Sequence, residues 1–373
     1  MPGGIHAQAD RDLNEPGRLR YVNRDRPLHQ PRLMRSFVLA STLLLMACPA
    51  PDGDPTPDPL PEPVTLTGTY QVTSEFAVPA TVAAPGPLGD SLRLLHQLSV
   101  NPASALLDLA DSAGVPAVGT LRTVLPSALE DELEGWMNGY LETATVDGAS
   151  PLAQIRAIDA QIRSVLLDWD LESTLVLPAT GPGTHAPDAL VFSAAGEPVV
   201  IPVDFTAPVT AGTGVVATVS FPAGASPAVA IGDHAMGIPF GSYALRAIDF
   251  TLQQVYGVAD LRDVLGQAVD CGALAASVAD ECVAMVCVGH ETELQAICEG
   301  GLDEAAAQLE ERIHSIDFQA IHFESGTATA VGIAVDAPTG AASATRLDAG
   351  TWAATIDLGQ EPEAATATFT AFR

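Results

Sequence analysis

Polar and apolar residues alternate one for one from Val64 to Phe76. Val64, Leu66, Tyr70, Val72 and Phe76 fall on one side, and Thr65, Thr67, Thr69, Gln71, Thr73 and Glu75 on the other. A period of two with one apolar face predicts a half-buried strand. From about Gly89 to Asp168 the period lengthens to that of a helix and the composition turns to Ala and Leu. Asn101-Pro102, Leu125-Pro126 and Ser150-Pro151 each set a proline in a first helical turn, where its missing N–H leaves no bond unmade. Leu129, Leu133, Trp136, Met137 and Tyr140 lie on one stripe, so short helices here should pack on one another or cap a sheet.

Strands return from Leu171 to about Phe221, and a second helical block runs from about Gly241 to Ile313. The chain closes with five short strands, Ile316–Phe323, Thr327–Val335, Ala341–Leu347, Gly350–Leu358 and Ala364–Phe372. Asp336-Ala337-Pro338-Thr339-Gly340 and Asp348-Ala349-Gly350 read as turns between them, giving an antiparallel meander. The expected class is α+β: an antiparallel sheet with a C-terminal β-meander, an N-terminal helical block and a disulfide-stapled helical hairpin. Residues 64–373 form the globular body, with room for two subdomains divided near 170. Gly68-Thr69-Tyr70 and Gly350-Thr351-Trp352 begin strands of matching pattern, which should pair and close the sheet. The second is similar to the Gly-x-Trp strand start of lipocalins, but there it sits near the N-terminus, and helices of this kind do not fit that family.

The front of the chain has another character. Ser36 to Ala47 is uncharged and mostly apolar, too short for a span that needs about 20 residues, and suited to the core of a secretory signal behind Arg35. Leu45-Met46-Ala47-Cys48 resembles the lipobox of bacterial lipoproteins. The resemblance implies cleavage before Cys48, a thioether-linked diacylglycerol on its sulfur and a further acyl chain on its amine, which together anchor far more firmly than one chain. Residues 1–47 are then a signal region, and translation from Met34 would give it a compact form. Pro49, in place of an aspartate that would retain the protein at the inner membrane, directs it to the outer membrane, facing periplasm or cell surface.

Charge sharpens this picture. From Cys48 onward there are nine Arg, no Lys and 42 acidic residues, a formal charge of −33. Such a body repels phosphate backbones, which excludes nucleic acid as a partner, and it gains nothing from anionic lipid, so the membrane is held through Cys48. Residues 48–63 are the lipidated cysteine and a tether. Pro49 to Pro63, with seven Pro and four acids, reads as an extended spacer of ~45 Å at ~3.1 Å per residue. Asp52, Asp54 and Asp58 do not make a calcium loop, because interleaved prolines forbid the wrap.

Four further cysteines, Cys271, Cys282, Cys287 and Cys298, fall close together. An even number in an exported chain predicts disulfides. On helices, Cys271 and Cys282 would stand ~16 Å apart along the axis, beyond disulfide reach. Two antiparallel helices instead bring Cys271 to Cys298 and Cys282 to Cys287, a nested staple. The competing arrangement, these thiolates with His290 around zinc, does not suit an oxidising compartment, and no metal or cofactor is expected.

The common catalytic signatures are absent. The stretch from Gly232 to Ser242 places Asp233, His234 and Ser242 among three glycines, from which an activated nucleophile could be drawn. Asp233 and His234, however, point apart on an extended chain. His314, His322 and Glu324 form a second polar group, read as solvated. The expected function is an envelope-anchored, non-enzymatic binding or structural module with a protein or apolar small-molecule partner. One alternative is a carrier of a lipid or other apolar ligand, another a hydrolase using His234 and Ser242.

Overall fold

A computed structural model describes residues 64–78, 86–124, 130–146, 148–194, 196–204, 209–223, 225–283, 286–316, 318–336, 341–357 and 362–373. The signal region, Cys48 and the tether lie outside these residues, as do Leu129 and the Leu125-Pro126 helix start.

The elements follow in chain order. β1 (Gly68–Ala77) leads into α1 (Gly86–Val100), α2 (Pro102–Ser112), α3 (Pro116–Val124), α4 (Glu130–Thr143) and α5 (Pro151–Leu167). Then come β2 (Asp168–Leu177), β3 (Gly183–Ala194), β4 (Glu197–Pro202), β5 (Gly212–Val215), β6 (Ala217–Ser220), β7 (Ala228–Ile231) and β8 (His234–Ile238). The second helical block is α6 (Phe240–Val255), α7 (Leu261–Ala268), α8 (Cys271–Ala279), a short ladder of β9 (Cys282–Val283) and β10 (Val286–Cys287), and α9 (Glu291–His314). β11 (Phe318–Val335), β12 (Ala342–Asp357) and β13 (Glu363–Phe372) finish the chain. The expected α+β class holds. Val64–Arg373 is one compact unit with no division near 170, because β1 pairs with both β2 and β13.

The sheet order β4-β3-β2-β1-β13-β12-β11 continues through β7 and β8, both of which pair with β11. At the far side β5 pairs with β3, and β6 pairs with β7. The gap is bridged where Thr210 and Gly237 exchange two backbone hydrogen bonds of 3.1 Å. Taking β4–β5–β6 and β7–β8 as single interrupted strands, since β4 and β5 follow one another along the same edge of β3, eight strand paths among the described residues close into an antiparallel up-and-down barrel. Gly350-Thr351-Trp352 does not pair with β1 as expected, since β13 lies between them.

Four of the five predicted C-terminal strands merge into two. Ser325-Gly326 and Asp348-Ala349-Gly350 are irregularities inside continuous strands, where the register shifts. Bulges and glycines bend barrel strands in this way. The reason here is steric. A Cβ on Gly326 would lie 2.2 Å from the Trp352 ring, and one on Gly350 2.5 Å from Phe369. Gly326, Trp352, Ala367, Phe76, Trp169 and Phe192 are successive cross-strand neighbours. Small residues beside large ones let rings fill an eight-strand interior: Trp352 stacks on Phe369 at 4.3 Å, and Phe76 on Trp169 at 4.8 Å.

Both helical blocks leave from one end of the barrel, the end of Ala77, Asp168, Ile238 and Phe318. Ser150 caps α5 by accepting from Ala153 N–H, with Pro151 in the first turn, as the sequence predicts. The stripe of α4 buries Leu133 and Met137. α9 packs against α1, α2, α3, α6, α7 and α8, burying Leu294, Ile297, Leu302, Leu309 and Ile313. Phe240, at the start of α6, meets Trp169 at 5.1 Å and Phe192 at 5.8 Å and corks that end. The opposite mouth receives the start of the body, where Thr65 N–H donates to Ala342 O and Ala344 N–H donates to Thr65 O. No described helix is long and apolar enough to cross a membrane.

Cys271 and Cys298 form a disulfide that staples α8 to α9. Cys282 is also disulfide-bonded and stands opposite Cys287 in the β9–β10 ladder rather than on a helix. Closing a loop over a separation of 27 residues is worth about 3.5 kcal/mol through the unfolded chain. Replacing Cys271 and Cys298 together by Ser should lower the unfolding free energy by about that amount, measured by urea denaturation under oxidising conditions.

Candidate functional site

The barrel interior is not wholly apolar. On β2 the inward positions are Trp169, Leu171, Ser173, Leu175 and Leu177, all buried, and Ser173 is the one polar member. On β3 the inward position nearest it is His185, also fully buried. His234 reaches the same space because the β7–β8 strand is interrupted at Gly232-Asp233, after which the buried positions change from Val229 and Ile231 to His234 and Met236. Ser173 Oγ lies 2.8 Å from His185 Nε2, His185 Nδ1 lies 2.8 Å from His234 Nε2, and His234 Nδ1 lies 2.9 Å from Gly232 O.

The direction of this chain follows from its last member. A carbonyl only accepts, so His234 Nδ1 carries a proton and its Nε2 accepts. His185 Nδ1 therefore donates to His234, and His185 Nε2 accepts from the Ser173 hydroxyl. Both rings are neutral in this arrangement. Burial and the neighbouring His234 hold His185 down at about 3. Burial also lowers His234, opposed by the Gly232 carbonyl and Asp233, while His322 adds to the lowering. Phe323 and Trp352 pack on His185 at 5.4 and 5.9 Å. Two further interior polar groups nearby are matched: Trp352 Nε1 donates to Ser74 Oγ at 3.1 Å and Tyr70 OH to Ala344 O at 2.8 Å.

A hydroxyl, a base and a second base in line is the order used to activate a nucleophile. Here the hydroxyl and the first ring are sealed from solvent, which makes the chain an internal brace. Of the residues singled out by sequence, His234 belongs to it. Asp233 is exposed in the interruption between β7 and β8, and Ser242 sits in the first turn of α6, while both nitrogens of His234 are engaged elsewhere. His314, His322 and Glu324 are exposed. Among the described residues no three His, Cys, Asp or Glu side chains gather as metal ligands.

What faces outward is different. Across β11, β12, β13 and β1, a groove of about 590 Å³ is lined by Glu75, Ser325, Thr327, Thr351, Thr366 and Thr368 over a floor that includes Trp352 and Phe76. Thr327, Thr351, Thr368 and Glu75 are direct cross-strand neighbours, and the first two hydroxyls bond at 2.8 Å. A second hollow of about 460 Å³ lies between α4 and α8, with Trp136, Tyr140 and Glu281 on its walls. No family model, curated protein or solved structure matches this chain.

Proposed function

We propose that this chain is an outer-membrane lipoprotein of bacterial type, anchored through acyl groups on Cys48, whose barrel acts as a non-enzymatic binding module. The burial of Ser173 and His185 carries the second half of this reading. The side chains with reactive potential point into the barrel and satisfy one another, so recognition falls to the outer surface. The hydroxyl-lined groove with its single carboxylate, Glu75, suits a polar partner. The first half draws support from the lipobox-like stretch, the Pro/Asp tether and a disulfide of the kind oxidising compartments allow. The carrier alternative needs a chamber of several hundred Å³, whereas stacked rings and the histidine pair occupy the barrel axis.

Growth with an alkyne-bearing fatty acid should label the full chain, and Cys48→Ser should abolish the label and release the protein from the membrane fraction. An unlabelled wild type would overturn the anchor. A hydrolase reading, moved from the expected His234 and Ser242 to the Ser173–His185–His234 order, has its own outcome: a fluorophosphonate adduct on Ser173, found by intact mass, would replace the binding module by an enzyme.

A further inference from the structure

The tether joins the body at Val64, and Val64 lies at the barrel mouth opposite the helices. Thr65 is bonded to Ala342 and Ala344 on β12, beside the place where the β11–β12 hairpin overhangs the mouth. The described strand residues on either side of that hairpin's turn are largely apolar and open to solvent. Val335 is 64% exposed and Ile333 40%, with Ala334 and Ala341 exposed between and opposite them. Phe372, 48% exposed, stands two positions along β12 from Ala344, opposite Arg346. Ile333 and Val335 pair with Ala344 and Ala342, which are buried. The two large side chains therefore face over the rim with no partner of their own size across the ladder.

The charge of this end also departs from that of the body. Arg346 is ion-paired with Asp348, and Arg373 bonds to Ser343. Two of the nine arginines of the mature chain gather here, against Asp336 and Asp348. A chain with a formal charge of −33 beyond its signal region thus presents a nearly neutral, apolar rim on the side from which its tether departs.

We propose that this rim, Ile333, Val335 and Phe372, seats on the lipid surface that holds the anchor, so that the barrel stands mouth-down with the helical block directed away. The proposal rests on the lipid-anchor reading of Cys48. Tethering makes a small apolar contact sufficient, because a spacer of ~45 Å that leaves from the same mouth confines the rim to the neighbourhood of the anchoring surface and raises its effective concentration there. Amphipathic and apolar elements of this kind bury in the headgroup boundary. The orientation leaves the Trp136–Tyr140 hollow of the helical block accessible.

The test uses the full acylated chain in phosphatidylethanolamine–phosphatidylglycerol vesicles. An environment-sensitive fluorophore is placed at Val335→Cys or, as a control in the helical block, at Val100→Cys. Val335 and Val100 are both solvent-exposed, so neither change disturbs the core. The label at 335 should shift to the blue and lose more than half its emission to doxyl-lipid quenchers, and the label at 100 should do neither. Intact mass separates the two failures. Acylated Cys48 with an aqueous label at 335 overturns the seating alone, whereas unacylated Cys48 overturns the anchor reading and the seating with it. A label at 335 that is shielded in detergent, in proportion to protein concentration, would assign the rim to a second copy of the chain and overturn the proposal.

Discussion

Acidification should destabilise the body steeply, with His185 as the main cause. An unfolded histidine takes up a proton near pH 6.5, whereas the buried ring resists until about pH 3. Above 6.5 the ring is neutral in both states and the folded protein loses nothing. Below it the unfolded chain binds a proton that the folded chain refuses, so stability falls by about 1.4 kcal/mol per pH unit down to the folded value. His234, lowered by burial, adds to the slope. Asp249 and Glu310 act the other way: burial raises both, Asp260 adds to it at each and Asp249 at Glu310, so their protonation favours the fold.

The difference between wild type and His185→Asn isolates the ring. At pH 7 the variant loses the Ser173 bond and should be weaker by about 2–3 kcal/mol. It keeps a donor for His234 but has no ring to protonate, so the two proteins should converge near pH 4.5. Urea midpoints at pH 7, 5.5 and 4.5 measure this. A constant gap would mean that the Ser173–His185–His234 chain is not the neutral, sealed array described above.

Gly326→Ala should cost about 3 kcal/mol, an unusual result for a strand position. Alanine is normally the better strand residue by about 0.5–1 kcal/mol. Here the added methyl meets the six-membered ring of Trp352, and overpacking of this kind outweighs the backbone gain. Trp352→Leu removes those ring atoms and is itself costly, as large-to-small core changes are. In combination the two changes should cost less than the sum of their separate effects by about 1–3 kcal/mol. Chemical denaturation of the four proteins checks this; strict additivity would show that the ring does not lie over Gly326.

The same two residues explain what the sequence hides. Alternation from Val64 to Phe76 and in the C-terminal third is a local signal, and those strands stand where expected. Ser-Gly and Asp-Ala-Gly inside β11 and β12 carry turn chemistry, yet they serve as bends beneath Trp352 and Phe369, a need that exists only once the sheet has rolled up. Ser173 was legible as the one polar residue on the inward side of Trp-x-Leu-x-Ser-x-Leu-x-Leu. Its partners were not. His185 and His234 meet it through strand register and through the Gly232-Asp233 interruption, which no periodicity announces. The cysteines were more open to reasoning, because a helical hairpin brings Cys271 to Cys298, although Cys282 lies past the end of α8 and not on the helix that the spacing suggests.

The barrel is completed by its two most distant strands. Gln71 on β1 faces Phe372 on β13, and the bond from Trp352 to Ser74 joins residues 278 positions apart. Contacts of such long sequence separation make folding slow. A chain delivered N-terminus first exposes β1 and keeps it open along one side until the last strand is released. On the lipoprotein reading proposed above, such a body stays threadable while it is passed through a narrow pore, and the interior that shields its histidines forms only after passage is complete.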